Sequence, residues 1–211
     1  MIFPIYTYSI VSKMPGKVYI ASMNMRGKWA ERPDNVKVLN VTSAQGHNQN
    51  RKDFSPMSAS NYKGFHCFEN YWQSGKVFEG VDPAKHRAWW ESQTEGKRRY
   101  PGGKGKRVLH SNYDGVIRDY VRSRKEIYVP EYYSLMVGTE SFQKWKKAVE
   151  SGMDIVVYDF DGPRSDTGEP LCVEVTLDTL KVKINDTRFP FGHGYVVAAG
   201  ILGISPENYC D

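Results

Sequence analysis

The segment from Asp154 to Phe160 reads Asp-Ile-Val-Val-Tyr-Asp-Phe, and it constrains the fold more than any other part of the chain. Its run of apolar and β-branched residues is typical of a strand buried on both faces. Shorter apolar segments at 18–21, 36–41 and 171–177 predict further strands, and 180–184 is another short apolar segment. The chain therefore has at least one sheet with a buried interior strand.

Helical patterns alternate with these strands. The spacing of apolar residues predicts helices over 67–79, 117–127, 141–151 and 195–202, and Pro83 marks the start of another that continues through Trp90. The prediction is an α+β fold, with helices mainly in the first half and a small sheet built largely from later strands. A chain of 211 residues is long enough for one compact domain with a sizeable core. We expect residues 1–13 to be an N-terminal extension, with Met14 as an alternative start, and residues 14–211 to form the single domain.

Composition narrows the class of protein. The formal net charge of +5 permits a polyanionic partner without requiring one. The three cysteines are far apart and belong to no Cys/His cluster, which argues against a structural zinc site and indicates a reducing, cytoplasmic compartment. No apolar run approaches the roughly 18 residues of a membrane span, so we expect no membrane partner.

Glu69 is the first candidate for chemistry. In a helix, Glu69, Gln73 and Lys76 would share one stripe beside Trp72. A carboxylate next to aromatic rings and an amide is suited to acid–base catalysis or to contact with a sugar. The alternative is an exposed acid on an amphipathic helix.

Two acids follow the buried strand. Asp159 and Asp161 lie on one face of an extended segment, and the turn-rich loop that follows contains Arg164. The carboxyl end of a strand is a common place for active-site groups, so these acids can bind a metal or orient a ribose. The alternative is a structural turn at Asp161-Gly-Pro.

A third region precedes the last helix. Glycines before a helix leave backbone N–H groups that favour an anion such as a phosphate, and an arginine can add a bidentate contact. The alternative is an aspartate cap and a tight turn. The candidate residues are Asp186, Arg188, Phe189, Gly192, His193 and Gly194.

A fourth candidate is the basic loop, residues 97–107, which combines glycines with several cations. Backbone N–H groups and positive side chains can hold phosphates together, so this loop is a possible contact for nucleic acid. The alternative is a solvated basic surface.

One group of motifs resembles a known family. Phe-Ser-Pro-Met at 54–57, Tyr-Lys-Gly-Phe at 62–65 and Phe-Glu-Asn-Tyr-Trp-Gln-Ser-Gly-Lys at 68–76 resemble the opening motif of the NADAR (YbiA-like) N-glycosidases. Those enzymes act on riboflavin-pathway intermediates, and relatives remove ADP-ribose from guanine bases. The chain has Asn70 where the family has histidine and Phe189 where it has tryptophan. The chain as a whole also resembles a protein type of large bacteriophages, which would place it in the host cytoplasm.

The resemblance implies an activity and roles for residues. Glu69 matches the family's catalytic acid and Asp186 its second acid, and we predict that both line one cleft. Arg188, Lys76 and the turn at Gly192–Gly194 would hold phosphate, and Trp72 or Phe189 would stack on a base. The implied substrate is an ADP-ribosylated nucleobase or a nucleotide-like metabolite, with no cofactor or metal required.

Two alternatives stay open. One is a non-enzymatic protein that binds nucleic acid or a host partner through the basic loop. The other is a metal-assisted enzyme that uses Asp159 and Asp161.

Overall fold

A computed structural model describes residues 14–23, 28–42 and 48–211. The predicted N-terminal extension, residues 1–13, lies outside these ranges. Within them, every helix is too short or too polar to cross a membrane.

The described strands form two small sheets. In chain order they are β1 (Val18–Ser22), β2 (Lys37–Asn40), β3 (Lys76–Phe78), β4 (Val108–Tyr113), β5 (Val116–Arg118), β6 (Ile155–Asp159) and β7 (Cys172–Glu174). The central sheet has the order β2-β6-β1-β7, with β1, β2 and β6 parallel and β7 antiparallel at one edge. All residues of β6 are buried, as its unbroken apolar run predicts.

The described helices surround this sheet. They are α1 (Gln49–Phe54), α2 (Phe68–Ser74), α3 (Pro83–Glu91), α4 (Tyr120–Ser123), α5 (Val129–Met136), α6 (Glu140–Glu150), α7 (Leu177–Asn185) and α8 (His193–Leu202). One π-helical turn, Arg124–Tyr128, joins α4 to α5. Helix α8 packs against β1 and β6 on one side and against α5 and α6 on the other, so it is almost completely buried.

The second sheet is antiparallel, with the order β3-β4-β5, and its strands take residues from two predicted helices. The predicted helix 67–79 stops at Ser74. A side chain at Gly75 would lie 2.2 Å from the ring of Tyr113, so the chain passes close under that ring and continues as β3. The predicted helix 117–127 begins only at Tyr120, because residues 116–118 pair with β4.

The α+β class is confirmed. The distribution of elements differs from the sequence prediction, since the central sheet takes two strands from each half of the chain and helices occur throughout. The apolar segment 180–184 is part of α7. Sheet β3-β4-β5 was not predicted. A half-buried strand is identified by alternating apolar and polar residues, and this pattern is lost where consecutive apolar residues such as Val116 and Ile117 are exposed.

Candidate functional site

A cleft opens where the carboxyl end of β6 meets α2 and the start of α8. It has two adjoining lobes, of about 290 Å³ and 170 Å³, which share Glu69, Gln73, Tyr128 and Asp161. The larger lobe adds Asp159, Phe160, His193, Arg98 and Arg99. The smaller lobe adds Trp72, Lys76, Tyr120, Arg124, Phe191 and Gly192. The cleft therefore combines carboxyl groups, cations and aromatic rings.

Helix α2 presents Glu69 to both lobes. Nε2 of Gln73 donates to Oε1 of Glu69 at 2.7 Å, as the spacing of four residues in a helix allows. The amide of Glu69 donates to the carbonyl of Pro56 at 2.8 Å, which ties the first turn of α2 to the preceding loop. The side chain is thus held in one position by local contacts.

Burial dominates the electrostatics of Glu69. It raises the pKa of this carboxyl, while the hydrogen bond from Gln73 and the charges of Lys76, His193 and Arg98 act in the opposite direction. Burial likewise lowers the pKa of Lys76, against the attraction of Glu69 and Asp161. The acid and the amine therefore stabilise each other's charged forms inside the cleft.

Asp159 is the last residue of β6 and occupies the N-terminus of α8. The amide of Gly194 donates to Oδ2 of Asp159 at 2.9 Å, and Nδ1 of His193 lies 3.3 Å from the same oxygen. Nε2 of His193 faces the carbonyl of Val41 at 2.6 Å, so this nitrogen must carry a proton. The positive end of the helix is thus matched by a carboxylate of the protein itself.

The glycines at 192 and 194 allow this packing. A Cβ at either position would come within 2.6 Å of Asp159. We expected these glycines to leave amides free for a phosphate, but the structure uses the amide of Gly194 for Asp159. Gly192 lines the smaller lobe, and His193 lines the larger one.

Asp161 stands at the mouth of the cleft, with solvent on one side. Burial on its other side and the neighbouring charge of Asp159 raise the pKa of Asp161 to about 6, against the attraction of His193 and Arg164. Arg164 lines neither lobe. Its guanidinium donates to the carbonyls of Phe160 at 3.0 Å and Gly168 at 3.2 Å, so it closes the loop that carries Asp161.

Asp186 lies outside the lining of both lobes. Its carboxylate accepts from Nε and Nη2 of Arg188 at 3.0 Å and 2.9 Å, which lowers the pKa of Asp186 to about 2. Arg188 also pairs with Asp166 on the surface. The predicted meeting of Glu69 and Asp186 is therefore not seen in these lobes, because Asp186 is committed to an arginine two residues away. Asp161 is the aspartate that lines both lobes together with Glu69.

Of the two aromatic residues predicted to stack on a base, Trp72 lines the cleft and Phe189 does not. Trp72 lines the smaller lobe and stacks on Tyr113, with ring centres 5.9 Å apart. Phe189 lines neither lobe, and its carbonyl accepts from Arg124. Phe191, two residues later, lines the smaller lobe in its place and stacks on Tyr195.

Two residues near the start of the basic loop, residues 97–107, line the cleft. Arg98 and Arg99 line the larger lobe, and the Arg98 guanidinium lies 5.9 Å from the centre of the Phe160 ring. Lys106 instead donates to the carbonyl of Gly80 at 3.0 Å. Positive charge is thus placed opposite the acids of the larger lobe.

Sequence reasoning did not identify Tyr128 and Arg124, which follow α4 in the π-helical turn. The guanidinium carbon of Arg124 lies 4.0 Å from the centre of the Tyr120 ring. The spacing of four residues between Tyr120 and Arg124 is the sequence pattern from which this contact could have been predicted.

The described residues contain no group of three or more His, Cys, Asp or Glu side chains placed to hold a metal ion. Asp159 is engaged by His193 and by the amide of Gly194. The alternative of a metal-assisted enzyme at Asp159 and Asp161 therefore has no three-residue ligand set in this part of the chain.

In comparisons with known proteins, no family model, curated protein or solved structure matches the chain. The resemblance to the NADAR family remains a prediction from the motif residues.

Proposed function

We propose that the protein cleaves the N-glycosidic bond of a phosphorylated ribose-containing substrate, an ADP-ribosylated nucleobase or a nucleotide-like metabolite, by carboxyl acid–base catalysis. The observation that carries this proposal is that Glu69 and Asp161 line the same two lobes, with different charges around them. Two carboxyl groups flanking one bond are the usual machinery for glycoside hydrolysis.

The surroundings assign the two roles. Burial and then the charges of Asp159 and Glu69 raise the pKa of Asp161 to about 6, so this residue is suited to protonate the leaving nitrogen. Burial raises the pKa of Glu69, while the hydrogen bond from Gln73 and the charges of Lys76, His193 and Arg98 act to keep it ionised. We assign Glu69 the role of the carboxylate because these partners surround it. A carboxylate there stabilises the positive charge that develops on the ribose, or activates water.

The rest of the cleft supplies recognition. Tyr128 and Phe160 offer ring surfaces in the larger lobe, where Arg98 and Arg99 bring positive charge. An aromatic ring contacts a base, and arginine pairs with phosphate oxygens through a planar fork. These groups fit a substrate with an aromatic base, a sugar and a phosphate.

A mass-spectrometric screen tests the activity. Purified protein is incubated with ADP-ribosylated DNA, NAD-type metabolites and riboflavin-pathway intermediates, and the released base is measured. The Glu69→Gln protein, prepared identically, shows whether any release comes from a contaminating enzyme. Base release by the wild-type protein alone supports the proposal, and no release from any substrate class contradicts it.

Asp161→Asn and Asp186→Asn form a matched pair that tests which aspartate is catalytic. We expect Asp161→Asn to lower kcat about 10²- to 10⁴-fold, because it removes the acid, and Asp186→Asn to leave kcat within about threefold of wild type. In the wild type, the rate should fall as pH rises above about 6, since Asp161 then loses its proton. Activity retained in Asp161→Asn and lost in Asp186→Asn would restore Asp186 as the second acid.

Nucleic-acid binding through the basic loop is a second candidate, favoured by the position of Arg98 and Arg99 at the cleft. A double variant, Arg98→Gln with Arg99→Gln, is compared with Lys104→Gln with Arg107→Gln, whose side chains are exposed and line neither lobe. If the loop serves the cleft, the first pair raises KM about tenfold and the second does not. If it serves nucleic acid, both pairs weaken DNA binding equally and reduce its salt dependence.

A further inference from the structure

Arg124 is a buried cation whose charge is balanced by no carboxylate in the described residues. It is 1 % exposed, and its guanidinium donates to the carbonyls of Ile184, Asp186 and Phe189 at 3.2, 2.8 and 2.7 Å. Three carbonyl dipoles do not neutralise a full positive charge, and a buried charge without a counter-ion is costly.

Part of this guanidinium remains available. Arginine has five N–H groups, of which the three carbonyls use three. Nε is buried and has no hydrogen-bond partner among the described residues. Arg124 lines the smaller lobe, so a group that enters there comes next to this guanidinium.

Lys76 adds a second cation to the same lobe. Its Nζ lies 5.6 Å from the centre of the Trp72 ring, and it forms no ion pair with a carboxylate in the described part of the chain. Burial lowers the pKa of this amine, against the charges of Glu69 and Asp161, and a bound anion would act in the same direction as these two acids. Two cations thus line one small lobe.

The size of the lobe limits what can bind. Sites for whole drug-sized ligands usually measure about 300–1,000 Å³, whereas this lobe measures about 170 Å³. Glu69 and Asp161 stand on the side that it shares with the larger lobe. The smaller lobe therefore suits one terminal group of a substrate whose reacting bond lies beside these two acids.

We propose that the smaller lobe binds a terminal phosphate group, held by the guanidinium of Arg124 and the ammonium of Lys76. This inference deepens the proposed function and rests on it for the ribose that carries the phosphate. The N-terminus of α8 borders this lobe through Gly192, but the amide of Gly194 there already donates to Asp159, so the two cations are the proposed anion ligands. It also separates this site from the arginines of the larger lobe.

Calorimetric titration with ribose 5-phosphate and with ribose tests the site without requiring turnover. The wild type should bind ribose 5-phosphate at least tenfold more tightly than ribose. Lys76→Met keeps the length and apolar stem of the side chain and should weaken binding of ribose 5-phosphate about tenfold or more, while ribose binding is unchanged. Lys144→Met, an exposed position in α6, is the control and should change neither.

Arg124→Gln should have at least as large an effect, but this residue also holds the segment 184–189 through its carbonyl contacts. Lys76→Met therefore decides the result if Arg124→Gln fails to fold. Equal affinities for ribose and ribose 5-phosphate, or no binding of either at millimolar concentration, overturn the proposal. The proposal is also overturned if the Arg98/Arg99 double variant loses binding of ribose 5-phosphate while Lys76→Met binds it as the wild type does. Binding that depends on Lys76 in a protein with no hydrolytic activity would overturn only the proposed function.

Discussion

Glu69→Gln is expected to remove nearly all turnover while the protein remains folded. An amide neither accepts a proton from water nor stabilises a cationic sugar as a carboxylate does. Loss of one essential acid–base group typically lowers kcat about 10²- to 10⁴-fold. The measurement is kcat on whichever substrate the screen identifies.

The local geometry explains why the fold should survive. The amide oxygen of a glutamine at position 69 can still accept from Nε2 of Gln73, which now bonds to Oε1 of Glu69 at 2.7 Å. Because burial already disfavours the charge of this carboxyl, a neutral side chain adds no desolvation cost. Thermal unfolding and substrate affinity should therefore stay close to those of the wild type.

Glu79→Gln is the matched control. Glu79 is an exposed acid just after β3, and it lines neither lobe of the cleft. The same chemical change there should leave kcat unchanged. Wild-type turnover by Glu69→Gln, on a substrate that the protein demonstrably cleaves, would show that the family-derived role of Glu69 is wrong.

The sequence was informative wherever a contact is local. The pair Glu69 and Gln73 was predictable because four residues in a helix bring two side chains to one face. The buried strand β6 was equally clear, since its first four residues, Ile155 to Tyr158, form the apolar run that a strand buried on both faces requires. Pro83 after Asp82 marked the start of α3, where the Asp82 side chain caps the helix.

The prediction of site residues was wrong where a contact close in the sequence competes with one between distant residues. Asp186 has the residue type and the neighbouring glycines of a site acid, but Arg188 captures it across two residues. Asp161 follows β6, the strand between β1 and β2, and lines the same lobes as Glu69, which is 92 residues earlier in the chain. That arrangement depends on strand order, which a single sequence does not specify.

The glycines before α8 illustrate the same difficulty. Their pattern predicted amides free for an anion, and an anion is present, but it is the side chain of Asp159 from 35 residues earlier in the chain. A pattern shows that a helix N-terminus is available to negative charge. It does not show whether a ligand or the protein supplies that charge.

Asp159→Ala is expected to cause a large loss of stability. The carboxylate is 2 % exposed, accepts from the amide of Gly194 and lies 3.3 Å from Nδ1 of His193. Removal of one partner from a buried charged pair typically costs about 3–5 kcal/mol of unfolding free energy. For a chain of this size, the melting temperature should fall by roughly 6–20 °C. Urea unfolding measures the free energy directly.

Asp159→Asn distinguishes the lost charge from the lost hydrogen bonds. The amide oxygen of an asparagine can accept from Gly194, and its NH₂ group can donate to Nδ1 of a neutral His193 whose Nε2 still donates to Val41. We therefore expect this variant to lose clearly less stability than Asp159→Ala. Asp166→Ala is the control, because its exposed pair with Arg188 should contribute at most about 1 kcal/mol. If Asp159→Ala unfolds with a free energy no lower than that of Asp166→Ala, Asp159 does not anchor the start of α8. Its carboxylate would then be free to act in the cleft.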